Sequence, residues 1–175
     1  MKEGKIFYFE KEKVYFIKLV GEISHPVSTN FNSFIEKLFQ DKALKDIFVD
    51  LSEVKYIDST NLGLLAKIAR GLIKAQQKKT TVLSTNKDVN QLLTSMGFHE
   101  VFILLQSSED HSKEFETIPN VSASDRKRAE ILLEAHKTLS EMNNKNKLLF
   151  KNVVEVLKNE LKTSILDRSK FSKKS

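Results

Sequence analysis

Apolar and polar positions along the chain switch repeatedly between two rhythms. Ile6-Phe7-Tyr8-Phe9 and Val14-Tyr15-Phe16-Ile17-Lys18-Leu19-Val20 are dense in β-branched and aromatic residues and flank the polar run Glu10-Lys11-Glu12-Lys13. That pattern predicts a β-hairpin. Val27, Phe31, Phe34, Ile35, Leu38 and Phe39 then fall at helical spacing, with Pro26 suited to the first turn. Asp46 to Leu51 reads as a short apolar strand. Leu62, Leu65, Ala66, Ala69, Leu72 and Ile73 form a second helical stripe, and Thr80 to Ser84 another strand. Val89, Leu92, Leu93 and Met96 make a third stripe, with Gly97 placed to end it. Glu100 to Leu105 reads as a fifth strand and Glu109 to Phe115 as a short fourth helix. The order is ββαβαβαβα. Strands alternating with helices predict parallel pairing, to which the opening hairpin adds an antiparallel member. Residues 1–116 are therefore expected to form one α/β domain, a mixed sheet with helices packed on it.

Residues 117–124, "TIPNVSAS", carry a proline, small polar residues and no periodic face, as a linker does. Residues 125–166 read as an α-helical C-terminal extension. Leu132, Ala135, Leu139, Met142, Asn146, Leu149, Val153 and Val156 recur three and four apart, a heptad-like seam. "MNNKN" (Met142 to Asn146) interrupts it with poor helix formers. Two shapes fit. The unbroken phase favours one long, bent helix with Asn146 in its seam; typical helix lengths favour a hairpin turning at the asparagines. Self-association or docking is expected through Leu139, Leu149 and Val153. Residues 167–175 read as a basic, disordered tail.

Charge separates the two regions. Residues 1–116 hold 16 basic and 16 acidic side chains, whereas residues 117–175 hold 13 and 7, so the whole net charge of +6 lies in the last third. That third has only two aromatics, Phe150 and Phe171, so base stacking is poorly served and no nucleic-acid partner is expected. With no cysteine, disulfides and thiolate chemistry are excluded. The start is too broken by charge for a signal peptide, and no apolar run approaches a membrane span, so a cytoplasmic protein without membrane contact is expected. His25, His99, His111 and His136 lack metal-ligand spacing and read as surface or packing residues. No Gly-rich phosphate loop occurs, and Asp50, Glu53 and Asp58 read as solvated loop charges. No catalytic residue, metal or cofactor is expected, and the chain is not read as an enzyme.

One stretch carries chemistry. Asp58-Ser59-Thr60-Asn61 stands between a strand and an apolar-striped helix. A serine or aspartate there caps the helix, and the helix N-terminus favours negative charge. A phosphate on Ser59 would add nearly two charges beside Asp58 without disturbing the core.

Here the sequence resembles the STAS-domain family, and within it the bacterial anti-sigma-factor antagonists. The resemblance rests on "FVDLSEVKYIDSTNLGLLAKI" (Phe48 to Ile68), on "LVGEIS" (Leu19 to Ser24) and on "QLLTSMGFHEVF" (Gln91 to Phe102). It spans about Ile6 to Phe115 and leaves the C-terminal third uncovered. It implies a STAS-like fold and a partner switch. An unphosphorylated antagonist binds an anti-sigma factor, often itself a serine kinase of the histidine-kinase-like ATPase type. Phosphorylation of one serine breaks the complex, and a metal-dependent phosphatase restores it. The motif places that serine at Ser59, with Thr60 second. The implied partner face comprises Glu22, Ser24, His25, Asp58, Ser59, Thr60, Asn61, Gly63, Lys67 and Arg70. Asn61 stands where the family usually has glycine, and its tolerance of left-handed backbone suits such a turn. Ser24 stands where the family often has aspartate. The alternative is a constitutive scaffold or transporter-associated module in which Ser59 is only a cap. A homodimer through the C-terminal helix is a further partner expectation.

Overall fold

A computed structural model describes residues 3–106 and 115–171, the last seven by backbone alone. The helix expected over Glu109 to Phe115 lies, but for Phe115, outside them. Strands β1 (Lys5–Lys11) and β2 (Val14–Ile23) pair antiparallel across a tight turn. Glu12 and Lys13 both take positive φ there (53° and 69°), as the twist of a two-residue hairpin requires. Strands β3 (Asp46–Ile57), β4 (Thr80–Leu83) and β5 (Phe102–Leu105) continue the sheet in parallel from β2. Strand β6 (Glu116–Thr117) pairs antiparallel with the outer side of β1, giving the order β5-β4-β3-β2-β1-β6. The segment read as a linker therefore starts inside the sheet. Ile118 behind it is buried, and the Tyr8 hydroxyl donates to Glu116, which together with burial holds the phenol above its usual pKa.

Helices α1 (His25–Gln40), α2 (Ser59–Gln76) and α3 (Lys87–Ser95) realise the three predicted stripes. Phe31, Phe34, Ile35 and Leu38 of α1 are buried, as are Val89 and Leu93 of α3. Gly97 takes φ +83° after α3, the left-handed cap its position predicted. In α2 burial extends beyond the predicted stripe: Leu64 and Ile68 are buried too, while Ile73 is exposed. A helix buried on several sides has more than one partner layer.

That second layer is the C-terminal extension. Helix α4 (Asp125–Ser140) turns through Glu141–Asn143 into α5 (Asn144–Phe171), and α4 packs against both α5 and α2. The extension is thus a hairpin rather than one long helix. Its asparagines build the turn. Asn143 caps α5 by accepting from the Asn146 N–H (2.8 Å), and its amide donates to the Met96 carbonyl (3.2 Å). The fully buried Asn146 donates to the carbonyls of Met96 (2.9 Å) and Leu139 (3.0 Å), tying the hairpin to the α3 corner. The turn also shifts the seam. Ala135 and Leu139 are buried as expected, but α5 buries Phe150, Val154 and Leu157, while Leu149, Val153 and Val156 face outward. Leu139, expected to mediate self-association or docking, is buried within the chain and so unavailable for self-association. Helix α5 also runs five residues beyond Leu166, into the stretch read as a disordered tail.

Asn146→Ala should weaken hairpin docking by about 1–2 kcal/mol, because the carbonyls of Leu139 and Met96 each lose the donor that this buried amide supplies. Urea unfolding should report a lower midpoint.

Candidate functional site

Two strand ends meet where the site forms. Strand β3 runs to Ile57, six residues past the predicted Leu51, because register shifts against β2 at Lys18/Val20 and Gly21/Glu22 let pairing continue. Val54 and Ile57 lie three apart in sequence, which hides this from a period-two reading. The extra length sets the start of α2 beside the start of α1. The Asp58 N–H donates to the Ile23 carbonyl (3.0 Å), locking the two turns together. Glu22 and Ser24 are half-buried and His25 exposed at this edge, and Ser24 is the N-cap residue of α1 without a side-chain cap bond.

The polar knot at 58–61 resolves into separate roles. Asp58, not Ser59, is the N-cap of α2. Its Oδ1 accepts from both the backbone N–H and the side-chain amide of Asn61 (2.9 Å each). Asn61 is fully buried in the first turn of α2, and its amide also donates to the Ser28 hydroxyl of α1 (3.1 Å). It is not among the positive-φ residues, so left-handed tolerance is not what this position uses. Thr60 is only 5% exposed, which makes its hydroxyl a poor target for an incoming enzyme.

Ser59 is left free of capping and points elsewhere. Its Oγ lies 3.0 Å from Nε2 of His136, on α4. The His136 Nδ1 sits 2.8 Å from the Leu132 carbonyl, which can only accept. Nδ1 therefore carries the proton in the neutral ring, and Nε2 accepts from the Ser59 hydroxyl. The imidazole is buried and meets the Phe150 ring edge-on at 5.9 Å.

Gly63, Lys67 and Arg70 recur at i, i+4 and i+7, forming one stripe on α2. Helix α4 lies along that stripe. Lys67 reaches Glu134 (3.0 Å) as well as Glu36 (3.7 Å) and the Asn32 side chain of α1 (3.0 Å). Arg70 pairs with Glu141 at the hairpin turn (2.8 Å). A Cβ added at Gly63 would fall on the backbone of Ala135. The residues expected to form an open partner face are gathered in one place, but α4 covers Gly63 and most of Lys67, while Arg70 stays exposed beside the hairpin turn. His136 went unrecognised in the sequence as part of the site. The available signal was its position next to Ala135 in the α4 seam. Among the described residues no group of three or more His, Cys, Asp or Glu side chains could hold a metal ion. No helix there is long and apolar enough to cross a membrane.

Asp58→Ala should destabilise the domain by about 1–3 kcal/mol, since it strips a cap and leaves a buried amide short of its acceptor. Chemical denaturation with an unchanged m-value would register it.

A mixed sheet of this order, with a capped serine turn between β3 and α2, defines a class of small α/β domain. The STAS domain family model matches residues 9–112, and the chain belongs to this family. The anti-sigma-B factor antagonist of Staphylococcus aureus is 25% identical over 99 residues, covering 57% of this chain and 90% of that protein. A solved structure of an anti-sigma factor antagonist from Mycobacterium paratuberculosis superposes with a TM-score of 0.52 at 19% identity. It covers 60% of this chain and 87% of its own. The family match ends at residue 112, before the α4–α5 hairpin.

Proposed function

We propose that this protein is a non-enzymatic anti-sigma-factor antagonist that acts by partner switching. Unphosphorylated, it binds an anti-sigma factor that doubles as its serine kinase, of the histidine-kinase-like ATPase type. Phosphorylation of Ser59 releases it, and a metal-dependent phosphatase resets it. The observation that carries this reading is the division of labour at the turn. Asp58 caps α2, so the Ser59 hydroxyl is not needed to hold the helix and can be modified without removing the cap. The relative in Staphylococcus aureus supports the antagonist role. The helix N-terminus supports a phosphate at Ser59, since its unpaired N–H groups and dipole favour an anion. Co-purification with a candidate anti-sigma factor tests the switch. Ser59→Ala should retain the partner, and incubation with kinase and ATP should release the wild type but not this variant. Equal capture under all conditions would sink it.

A second reading has its own support. The Ser59–His136 hydrogen bond and the covered α2 stripe also suit a constitutive scaffold in which Ser59 is a structural residue. In that reading no phosphorylated form accumulates.

A further inference from the structure

The α4–α5 hairpin sits on the surface through which the proposed switch would work, and its contacts there are specific. Four observations coincide along one line of α2. Ser59 donates to His136, Gly63 meets the Ala135 backbone, Lys67 pairs with Glu134, and Arg70 pairs with Glu141. The contact at Gly63 leaves no space for even a methyl group, so the two helix backbones touch. An Oγ–Nε2 separation of 3.0 Å likewise leaves no room for a phosphoryl group between Ser59 and α4. Yet the hairpin is joined to the sheet domain by a single stretch after Ile118, and its outermost rim contact, Arg70–Glu141, is an exposed ion pair of the kind that contributes little.

We infer that the hairpin is a displaceable intramolecular ligand of the α2 face. It partly covers Ser59 and competes with the partner for the Gly63–Lys67–Arg70 stripe. The docked hairpin also specifies the chemistry of its competitor: a helix with a small residue against Gly63 and carboxylates reaching Lys67 and Arg70, as Ala135 and Glu134 of α4 and Glu141 of the turn do. With the hairpin down, the half-buried Ser59 hydroxyl is held against His136, and partner affinity is reduced in proportion to the fraction of molecules that are open. Once Ser59 is phosphorylated, α4 cannot return to its seat, and the open form persists until the phosphate is removed. The identity of the competitor rests on the proposed antagonist function; the opening itself does not.

The test uses the full chain without any partner, so that failure of the cover and failure of the switch are separable. Because the protein has no cysteine, Lys79→Cys and Lys158→Cys supply a unique pair of spin-label sites, one beside β4 and one on α5, both exposed. Electron–electron distance measurement should give one narrow population in the otherwise wild-type chain. Gly63→Ala, made on α2, and Ala135→Glu, made on α4, should each add a longer, broader one. Hydrogen exchange on the same variants should show α4 amides exchanging at least tenfold faster, while β2 and β3 keep their protection, which also establishes that the sheet domain remains folded. Unchanged distances in both variants would overturn the inference. So would α4 amides that exchange only together with β3 in every variant, because the hairpin would then be an inseparable part of one cooperative unit.

Discussion

Ser59→Glu is expected to lower affinity for an anti-sigma partner by about two orders of magnitude, whereas Ser59→Ala retains it. The charge would lie beside Asp58 at the rim of the α2 face, and bringing a partner helix over two adjacent carboxylates costs several kcal/mol when their water is removed. By contrast, Ser59→Ala removes a hydroxyl that caps nothing. Among the described residues the serine's side chain bonds His136, which a bound partner would displace in any case. Titration calorimetry of both variants against a purified anti-sigma factor measures the difference. Ser59→Glu should leave the sheet domain folded, because the negative charge lies at a helix N-terminus, where it is favoured, while its longer side chain loosens α4 from its seat against Ser59.

Leu139→Ala is expected to loosen hairpin docking by about 2–5 kcal/mol, the cost of emptying a fully buried leucine site that cannot collapse. Leu139 is completely buried where α4 meets the rest of the core, near the turn that Asn146 secures. The loss should fall on the hairpin and spare the sheet, so unfolding should separate into two transitions, with far-UV signal lost first from α4 and α5. If the hairpin competes with the partner, the same variant should bind an anti-sigma factor about tenfold more tightly, through a larger open fraction. Weaker binding would instead mean that the hairpin helps to form the partner surface.

Strand β2 and helices α1 and α3 were legible because each buries mainly one face. One-sided burial writes period two into β2 and period 3.6 into α1 and α3. Where burial has more than one direction, the pattern fails. Helix α2 faces the sheet, α1 and α4 together, so Leu64 and Ile68 fell outside any single stripe. The end of β3 was lost because register shifts moved Val54 and Ile57 out of alternation. In the hairpin the seam spacing was real on α4, but three residues of turn reset the phase, and the buried set on α5 lies one position further along.

At the site, the sequence marked out the stretch at the start of α2 but not the division of structural tasks within it. An aspartate and a serine in a row both satisfy the rule for a helix cap. Only the coordinates assign the cap to Asp58 and turn Ser59 toward α4. Asn61 looked like a turn residue and is instead a buried crosslink to Ser28. His136 lies 77 residues from Ser59, and a contact over that separation depends on how α4 folds back, which no local pattern encodes.

Intact-mass spectrometry of the full chain purified from its native cells, with peptide mapping, tests the central claim most directly. The account predicts two forms that differ by one phosphoryl group, located on Ser59, in proportions that change with growth condition. Absence of the phosphorylated form under every condition, or a phosphate placed elsewhere in the chain, would contradict it.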